Sequence, residues 1–533
     1  MNPIEIITGL LGVTTLLAVI ARRLRLSYPI LLVVTGLFIG WIPGLPPVIL
    51  SPDVVFLVFL PPLLYSAAWQ IDNRELKLYS RSVSFLAVGL VLFTSTVVAL
   101  VSYMFIPGFS LSQGYLLGAI IAPPDAVAAS SVTKGLNIPK RITTILEGES
   151  LVNDATSLII YRYGLVAILT SQFVLWQAGL QFIGIALTSL ALGLAIGWVM
   201  ARVHQAINKD TVTNTAITLL IPYGSYLIAE ELHISGVLVV VTVGLFLSAR
   251  SGEIFTYQSR LQTNSVWAVV VFLLNGLVFI LIGLQLPTIV SELNGYTLPQ
   301  AVTYALLISA VAIVCRIVWV FPGAYLPRWL SRRIREREQK PSWQQIAVLG
   351  WAGMRGVVSL AGALALPITM PNGQSFPGRD LILFITFGVI LCTLVLQGLT
   401  LPVLIDELNV RETIDEKLEE RQLRRKMAQQ AITHLEANHS AGSVHDDVLS
   451  YVKNAYELRI NELNGMLRAQ NTSERPAELY QQSVRLQLEL LSVERTVLIE
   501  QRKDSLLDDE ILRKMEQELD LEAARLSLVQ PIE

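Results

Sequence analysis

Long apolar runs, repeated from residue 3 to residue 405, restrict the fold more than any other feature of the sequence. Each run holds about 17–25 residues, which is the length that an α-helix needs to cross a bilayer. The 533 residues are 53% hydrophobic and 15% charged, whereas a soluble chain carries about 25% charged residues. A membrane barrel would need short alternating strands instead. The sequence therefore predicts an all-α polytopic membrane protein.

Thirteen membrane spans are predicted, and the basic residues between them indicate an orientation. The spans are 3–21, 29–43, 53–69, 83–106, 111–133, 142–168, 180–201, 211–231, 235–249, 263–286, 299–327, 343–366 and 379–405. The first has no basic segment before it and no cleavage site after it, so we interpret it as a retained span. Basic residues concentrate in alternate connections, such as residues 22–25, 74–81 and 328–340. Because such residues stay in the cytoplasm, we expect an external N-terminus and a cytoplasmic C-terminus in the cell membrane.

The chain divides near Leu404 into a transmembrane domain, residues 1–405, and a charged cytoplasmic helical domain, residues 406–533. One apolar stripe in the second domain follows helical spacing and consists of Leu479, Leu486, Leu490, Val493 and Val497. Two interpretations stay open, because no ligand motif is visible: the tail packs or dimerises, or it regulates the first domain.

Several classes of function are not expected. The net charge of −2 gives no reason to expect a nucleic-acid partner, and no nucleotide-binding loop or metal-ligand cluster is present in the sequence. We therefore expect neither an enzyme nor a cofactor. Cys315 and Cys392 lie in apolar runs and are interpreted as reduced packing residues. The five histidines, His204, His233, His434, His439 and His445, are interpreted as solvated surface residues and not as pH sensors.

The segment "LEGESLVNDATSLIIY", residues 146–161, places Glu147, Glu149 and Asp154 in or beside an apolar span. Asp154 lies thirteen residues beyond Arg141, or roughly 20 Å along a helix, near the middle of a hydrocarbon core about 30 Å thick. Ser150 and Asn153 share its helix face at i, i+3, i+4 spacing. Charged residues at this depth usually line an ion path. The alternative is a buried carboxylate that only ties helices together.

Two other spans are predicted to break at similar depth. Consecutive prolines precede Asp125 in "GAIIAPPDAVAASSV", and proline at both positions is incompatible with an unbroken helix. Three glycines surround Arg355 in "LGWAGMRGVVSLAG". Interrupted helices in corresponding positions of two halves indicate a transporter site at the midplane. Asp125 and Arg355 could compensate the helix ends at the breaks, and Arg316 in the eleventh span needs a buried acid such as Glu149.

A poorly hydrated carboxylate can hold either a proton or a small hard cation, because desolvation disfavours its charged form and its oxygens bind such ions. Alternating exposure of Asp154 to the two sides would then produce cation/proton exchange. Since one carboxylate releases one proton, a one-for-one electroneutral exchange is the simplest stoichiometry.

Four motifs in order give the chain a resemblance to the cation/proton antiporter family, which includes bacterial sodium/proton antiporters and animal sodium/hydrogen exchangers. They are "FLPPLLYSAAW" (59–69), "APPDAVAA" (122–129), "GESLVNDA" (148–155) and "GMRGVVSLA" (353–361). The resemblance covers about residues 5–405. It implies 6+1+6 inverted repeats with two crossed broken helices, a homodimer, and elevator-like motion that serves pH and sodium homeostasis.

The resemblance also implies residue roles. Asp154 would carry the proton and a monovalent cation such as Na⁺, with Asn153 and Ser150 supporting it. Asp125 would organise the crossing. The adjacent Asn153 and Asp154 resemble the electroneutral branch of the family.

Three further residues complete the expected core, in which Glu149 would pair with Arg316 and Arg355 would compensate helix ends. Several relatives carry an acid in the third span, where this chain offers Tyr65 and Ser66 as possible rim residues, so the role of that acid is not transferred. The leading function is sodium/proton antiport, with Li⁺ or K⁺ also possible substrates. A potassium/proton antiporter and, from another class, a proton-coupled solute transporter stay as alternatives.

Overall fold

A computed structural model describes residues 3–24, 27–42, 55–133, 136, 138–170, 175–207, 210–293, 295–330, 332, 341–370, 373–410, 415–438, 446–472, 475–503 and 509–527. Within these ranges the regular structure is helical, apart from one isolated bridge between Thr369 and Ser375. The chain forms two compact units, Met1–Glu412 and Thr413–Glu533.

Helices follow one another through the described part of the first unit. In chain order they are α1 (Pro3–Leu24), α2 (Tyr28–Gly40), α3 (Leu60–Gln70), α4 (Asn73–Ser84), α5 (Val91–Phe105), α6 (Leu111–Ile121), α7 (Ala126–Thr133), α8 (Lys140–Thr170), α9 (Leu175–Ala206), α10 (Thr211–Glu231), α11 (Gly236–Ala249), α12 (Ser251–Ile254), α13 (Tyr257–Ser291), α14 (Leu298–Leu330), α15 (Trp343–Trp351), α16 (Val357–Leu364) and α17 (Arg379–Glu407). π-helical turns at Val55–Phe59 and Phe85–Leu90 lead into α3 and α5.

A helical segment occupies each of the thirteen predicted spans, and the predicted spans 111–133 and 343–366 are each divided into two short helices. In the described part of the chain, seven helical stretches are long and apolar enough to cross a bilayer, and four shorter helices are also apolar. Helix α8 is not among them, since it carries acidic residues in its middle. The all-helical membrane fold is thus confirmed, while the number of crossings stays a prediction.

The basic segment after the third span is a helix and not the expected connection. Asp72 caps α4, because its Oδ1 accepts hydrogen bonds from the backbone N–H groups of Arg74 (2.8 Å) and Glu75 (3.3 Å). Helix α4 continues through the π-helical turn into α5, so that Arg74 and Arg81 lie on a helix that extends beyond the predicted span.

The π-helical turn makes room for Trp319 of α14. The indole Nε1–H donates to the Phe85 carbonyl at 3.2 Å, and the indole stacks on the Phe85 ring with centroids 4.9 Å apart. At Gly89 an added Cβ would lie 2.7 Å from the indole, so a side chain there would displace the ring. The turn therefore anchors α14 against the α4–α5 segment.

Two clusters of buried apolar side chains form the core of the first unit. The first apolar cluster joins parts of α1, α2, α5–α7 and α13–α17, and the second joins parts of α3 and α9–α13. Helix α8 contributes to both: Ile142 and Leu146 belong to the first cluster, whereas Leu151 and Ala155 belong to the second. Helix α8 therefore lies where the two clusters meet.

His204 is buried, which makes its interpretation as a solvated residue wrong. Its Nδ1 is hydrogen-bonded to Asn214, and its ring lies 4.6 Å from that of Phe255. The predicted span 180–201 ended before His204, but α9 extends as far as Ala206. His439 and His445 lie outside the described residues.

The described residues of the second unit form four helices, α18 (Asp415–Asn438), α19 (Asp446–Thr472), α20 (Arg475–Lys503) and α21 (Asp509–Ser527). Val484 of α20 and Leu519 of α21 are buried. The predicted stripe lies on α20, where its described members Leu486, Leu490, Val493 and Val497 are each more than half exposed. The unit thus leaves an apolar helix face uncovered.

Candidate functional site

Two unwound segments meet inside the first unit. Residues 122–125 separate α6 from α7, and residues 352–356 separate α15 from α16. The Asp125 backbone N–H donates to the Met354 carbonyl at 2.7 Å, which joins the two breaks directly. Pro123 and Pro124 lack N–H donors, which explains the first break. At Gly356 an added Cβ would overlap the Asp125 carboxylate, so the second segment needs glycine there.

The Asp125 side chain compensates the N-terminal ends of both short helices. Its Oδ1 accepts a hydrogen bond from the Val127 N–H at 2.8 Å, and the N–H groups of Ala128 and Val357 lie close to this carboxylate. Val127 and Ala128 belong to the first turn of α7, and Val357 begins α16. A helix N-terminus carries partial positive charge and unsatisfied N–H donors. One carboxylate therefore serves two facing helix ends.

Helix α8 is tied to the first break by its polar face. Asn153 Nδ2 donates to the Pro124 carbonyl at 3.0 Å, and the Ala126 N–H donates to Ser150 Oγ at 3.4 Å. One turn further, Ser157 Oγ donates to the Ala119 carbonyl at 2.5 Å. The predicted group of Ser150, Asn153 and Asp154 thus stands against the unwound segment that contains Asp125.

Asp154 is buried, with 5% of its surface exposed. No described residue forms an ion pair or a hydrogen bond with its carboxylate, and the nearby Asp125 carboxylate repels it. The adjacent Asn153 Oδ1 is also buried without a hydrogen bond from the described residues. Together with Ser150 Oγ, these oxygens could hold a small hard cation. Among the described residues, no group of three or more His, Cys, Asp or Glu side chains could hold another metal ion.

Glu149 and Arg316, which the sequence analysis paired, form a bidentate ion pair. Arg316 Nη1 lies 2.6 Å from Glu149 Oε1, and Nη2 lies 2.9 Å from Oε2. Both side chains are at most 1% exposed. Arg316 Nε also donates to the Leu349 carbonyl in α15 at 3.2 Å. The pair therefore connects α8, α14 and the broken helix.

Arg355 lies in the second break and is 1% exposed. Its backbone N–H donates to Thr393 Oγ1 of α17 at 3.1 Å. Its Nε and Nη1 make no hydrogen bond to described residues, and its main charged neighbours are Arg316 and Glu149. Its compensation of helix ends stays a prediction. Thr393 was missed in the sequence, since one threonine in an apolar span carries no recognisable signal.

Tyr65 and Ser66 lie on α3 and are buried in the second apolar cluster. The Tyr65 ring packs 5.3 Å from that of Trp267, and Ser66 Oγ accepts a hydrogen bond from Gln70 Nε2 at 3.1 Å. Neither residue is hydrogen-bonded to Asp154 within the ranges described. Their contribution to ion binding stays a prediction.

The transmembrane sodium/hydrogen exchanger family matches residues 11–407, which include both breaks and all of α8. The chain belongs to the sodium/hydrogen exchanger family. This exchanger is 30% identical to a Na⁺/H⁺ exchanger of Mycobacterium tuberculosis over 98% of its own chain and 96% of that protein. It is 31% identical to a sodium, potassium, lithium and rubidium/H⁺ antiporter of Bacillus pumilus over 80% of its chain and 65% of that protein.

This exchanger also shares its fold with a solved structure. The sodium proton antiporter of Methanocaldococcus jannaschii superposes with a TM-score of 0.59 at 19% identity, over 76% of this chain and 98% of that chain. The family match and the long apolar helices together indicate a multi-pass membrane protein.

Proposed function

We propose that this exchanger moves Na⁺ and H⁺ in opposite directions across the cell membrane, with Asp154 carrying each ion in turn. The supporting observation is the Asp154 carboxylate itself. It lies in the middle of α8 beside an unwound segment, and no described partner neutralises it. A carboxylate with a permanent cationic partner could not exchange one ion for another, whereas this one is available to both.

The proposal of electroneutral exchange rests on the number of carboxylates that can bind and release an ion. Asp125 accepts a backbone hydrogen bond at the start of α7 and lies against Gly356 at the start of α16, and Glu149 is held by Arg316. Asp154 is then the one acid of the crossing that loads and unloads, and its neighbour Asn153 carries no charge. One proton therefore leaves for each Na⁺ that binds.

Alternating access is proposed to occur by elevator-like motion in a homodimer, with the N-terminus outside and the C-terminus in the cytoplasm. The position of α8 supports such a motion, because the Asp154 helix contacts both apolar clusters. A displacement of the first cluster against the second would move Asp154 along their boundary. Exchange of this kind would serve pH and sodium homeostasis without a cofactor.

Potassium/proton antiport is the second candidate. It is favoured by the B. pumilus relative, whose name includes potassium, lithium and rubidium. The oxygen donors of Asp154, Asn153 and Ser150 are compatible with any of these ions. A proton-coupled solute transporter has less support, because the described polar residues beside Asp154 belong to the crossing and do not form a second binding site.

The test is transport by purified protein in liposomes that contain a pH-sensitive dye. Sodium, lithium and potassium are added in turn, and the membrane potential is clamped with an ionophore that does not carry the ion tested. We expect sodium to release lumenal protons in the wild type and not in Asp154→Asn. Exchange by Asp154→Asn at the wild-type rate would refute the assignment, and a transport current would refute electroneutrality.

A further inference from the structure

Glu147 is an acid on α8 that the proposed exchange does not yet use. It precedes Ser150 by three residues and Asp154 by seven, so the three side chains lie within about 60° around the α8 axis. Seven residues correspond to about 10 Å along that axis. Glu147 and Ser150 are partly exposed, whereas Asp154 is buried. Exposure therefore decreases along one face, from the Arg141 end of the helix toward Asp154.

The other faces of α8 near Glu147 are already occupied. Gly148 faces α4, where an added Cβ would meet Leu76 and Val83, and Glu149 is paired with Arg316 of α14. Leu151, on the neighbouring face, is buried in the second apolar cluster. The face that carries Glu147 and Ser150 thus lies along the boundary between the two clusters, where an ion could approach Asp154.

No described residue compensates the charge of Glu147. Within the described ranges, no basic side chain forms an ion pair with it and no donor forms a hydrogen bond to it. An acid placed at the protein surface only for solubility would be fully exposed, and one used for packing would be paired, as Glu149 is. A carboxylate that is partly buried and has no described cationic partner instead creates a negative electrostatic potential between the two apolar clusters, which have a low dielectric constant.

We propose that Glu147 attracts the transported cation and the proton onto the path from the Arg141 side to Asp154. This inference rests on the proposed function, since it names a second residue on the path to the same site. A unit charge about 10 Å away, at an effective dielectric constant of about 20–40 and with partial salt screening, changes cation occupancy about three- to tenfold. Glu147 would thus set the apparent affinity on one side of the membrane and not the maximum rate.

The decisive variant is Glu147→Gln, assayed in membrane vesicles of each orientation. We expect the apparent KM for Na⁺ to rise about three- to tenfold on the Arg141 side, with the maximum rate retained and the KM on the opposite side unchanged. The equilibrium of one-for-one exchange fixes how the ratio of the Na⁺ and H⁺ dissociation constants on one side relates to that on the other. Since the opposite side is unchanged, the affinity for H⁺ on the Arg141 side must fall by a factor similar to that for Na⁺. The pH profile on that side would shift toward acid.

Three comparisons separate this field effect from structural damage. Glu147→Asp should restore the wild-type KM, and Glu253→Gln removes an exposed acid that we expect on the same side without lying on the path. The KM difference between wild type and Glu147→Gln should also shrink when choline chloride is raised to about 0.5 M, since salt screens the interaction. An equal change on both sides, or a difference insensitive to salt, would overturn the inference.

A second variant keeps the test valid if Glu147→Gln does not fold. Glu147→Cys, made with Cys315 and Cys392 replaced by alanine, can be modified by an anionic or a cationic thiosulfonate reagent. The anionic reagent should lower the KM on the Arg141 side and the cationic one should raise it, whereas equal effects would overturn the inference. Failure of the proposed function is recognised separately, because it shows in wild-type and Asp154→Asn vesicles.

Discussion

The free energy lost on breaking the Glu149–Arg316 pair should depend on which partner is replaced, because a third buried charge, Arg355, lies near both. Glu149 and Arg316 are joined by contacts of 2.6 and 2.9 Å, and Arg355 is a second buried cation near both. Glu149→Gln leaves two cations without an acid, which should cost about 3–5 kcal/mol, the usual cost of breaking a buried pair. Arg316→Gln leaves Glu149 with Arg355, so we expect only about 1–3 kcal/mol, near the cost of lost hydrogen bonds.

The free energy of unfolding can be followed by titrating SDS into mixed micelles, with the fluorescence of the nine tryptophans as the signal. The double variant should lose less than the sum of the two single losses, by about 1 kcal/mol or more, since the partners are in direct contact. Equal losses for Glu149→Gln and Arg316→Gln, or a larger loss for Arg316→Gln, would refute the argument that Arg355 shares the Glu149 carboxylate.

Three further outcomes follow from contacts in the two units. Gly356→Ala should lower the free energy of unfolding by about 1–3 kcal/mol or more, because the added Cβ overlaps the Asp125 carboxylate. Gly362→Ala is the control: its Cβ would contact only Ile120, at 3.5 Å, so it should be nearly neutral in the same titration. Asp125→Asn should cost about 1–2 kcal/mol, since it removes the charge at two helix N-termini; a loss below about 0.3 kcal/mol would contradict that role. Leu490→Asp should reduce the dimer fraction by light scattering if the exposed stripe of α20 joins two copies, and an unchanged fraction would exclude such a dimer.

The fold class and both helix breaks were predictable because they follow from local chemistry. Proline without an N–H at 123 and 124, and glycine around Arg355, disfavour an unbroken helix in any tertiary context. The pairing of Glu149 with Arg316 was predictable for a different reason. An unpaired charge at mid-membrane depth is so costly that the number of possible partners is small.

Features that depend on packing between distant segments were not predictable. The hydrogen bond from Asp125 to Met354 and that from Arg355 to Thr393 join residues with no periodic relation in the sequence. His204 was interpreted as a solvated residue because it lies beyond the predicted span 180–201, and its burial depends on Asn214 and Phe255 from other elements. In each case a polar group finds its partner only after the helices have packed.

Three carboxylates lie beside the two helix breaks, and Asp154 differs from the other two in having no described partner. Asp125 accepts a hydrogen bond from the Val127 N–H of α7 and lies against the start of α16, and Glu149 is held by a bidentate arginine. Both carboxylates therefore have fixed neighbours. Asp154 lies beside them with no described partner, although burying an uncompensated charge is unfavourable. Binding a proton or a cation relieves that cost, so the same arrangement that makes the empty carboxylate unstable also provides the free energy for loading it.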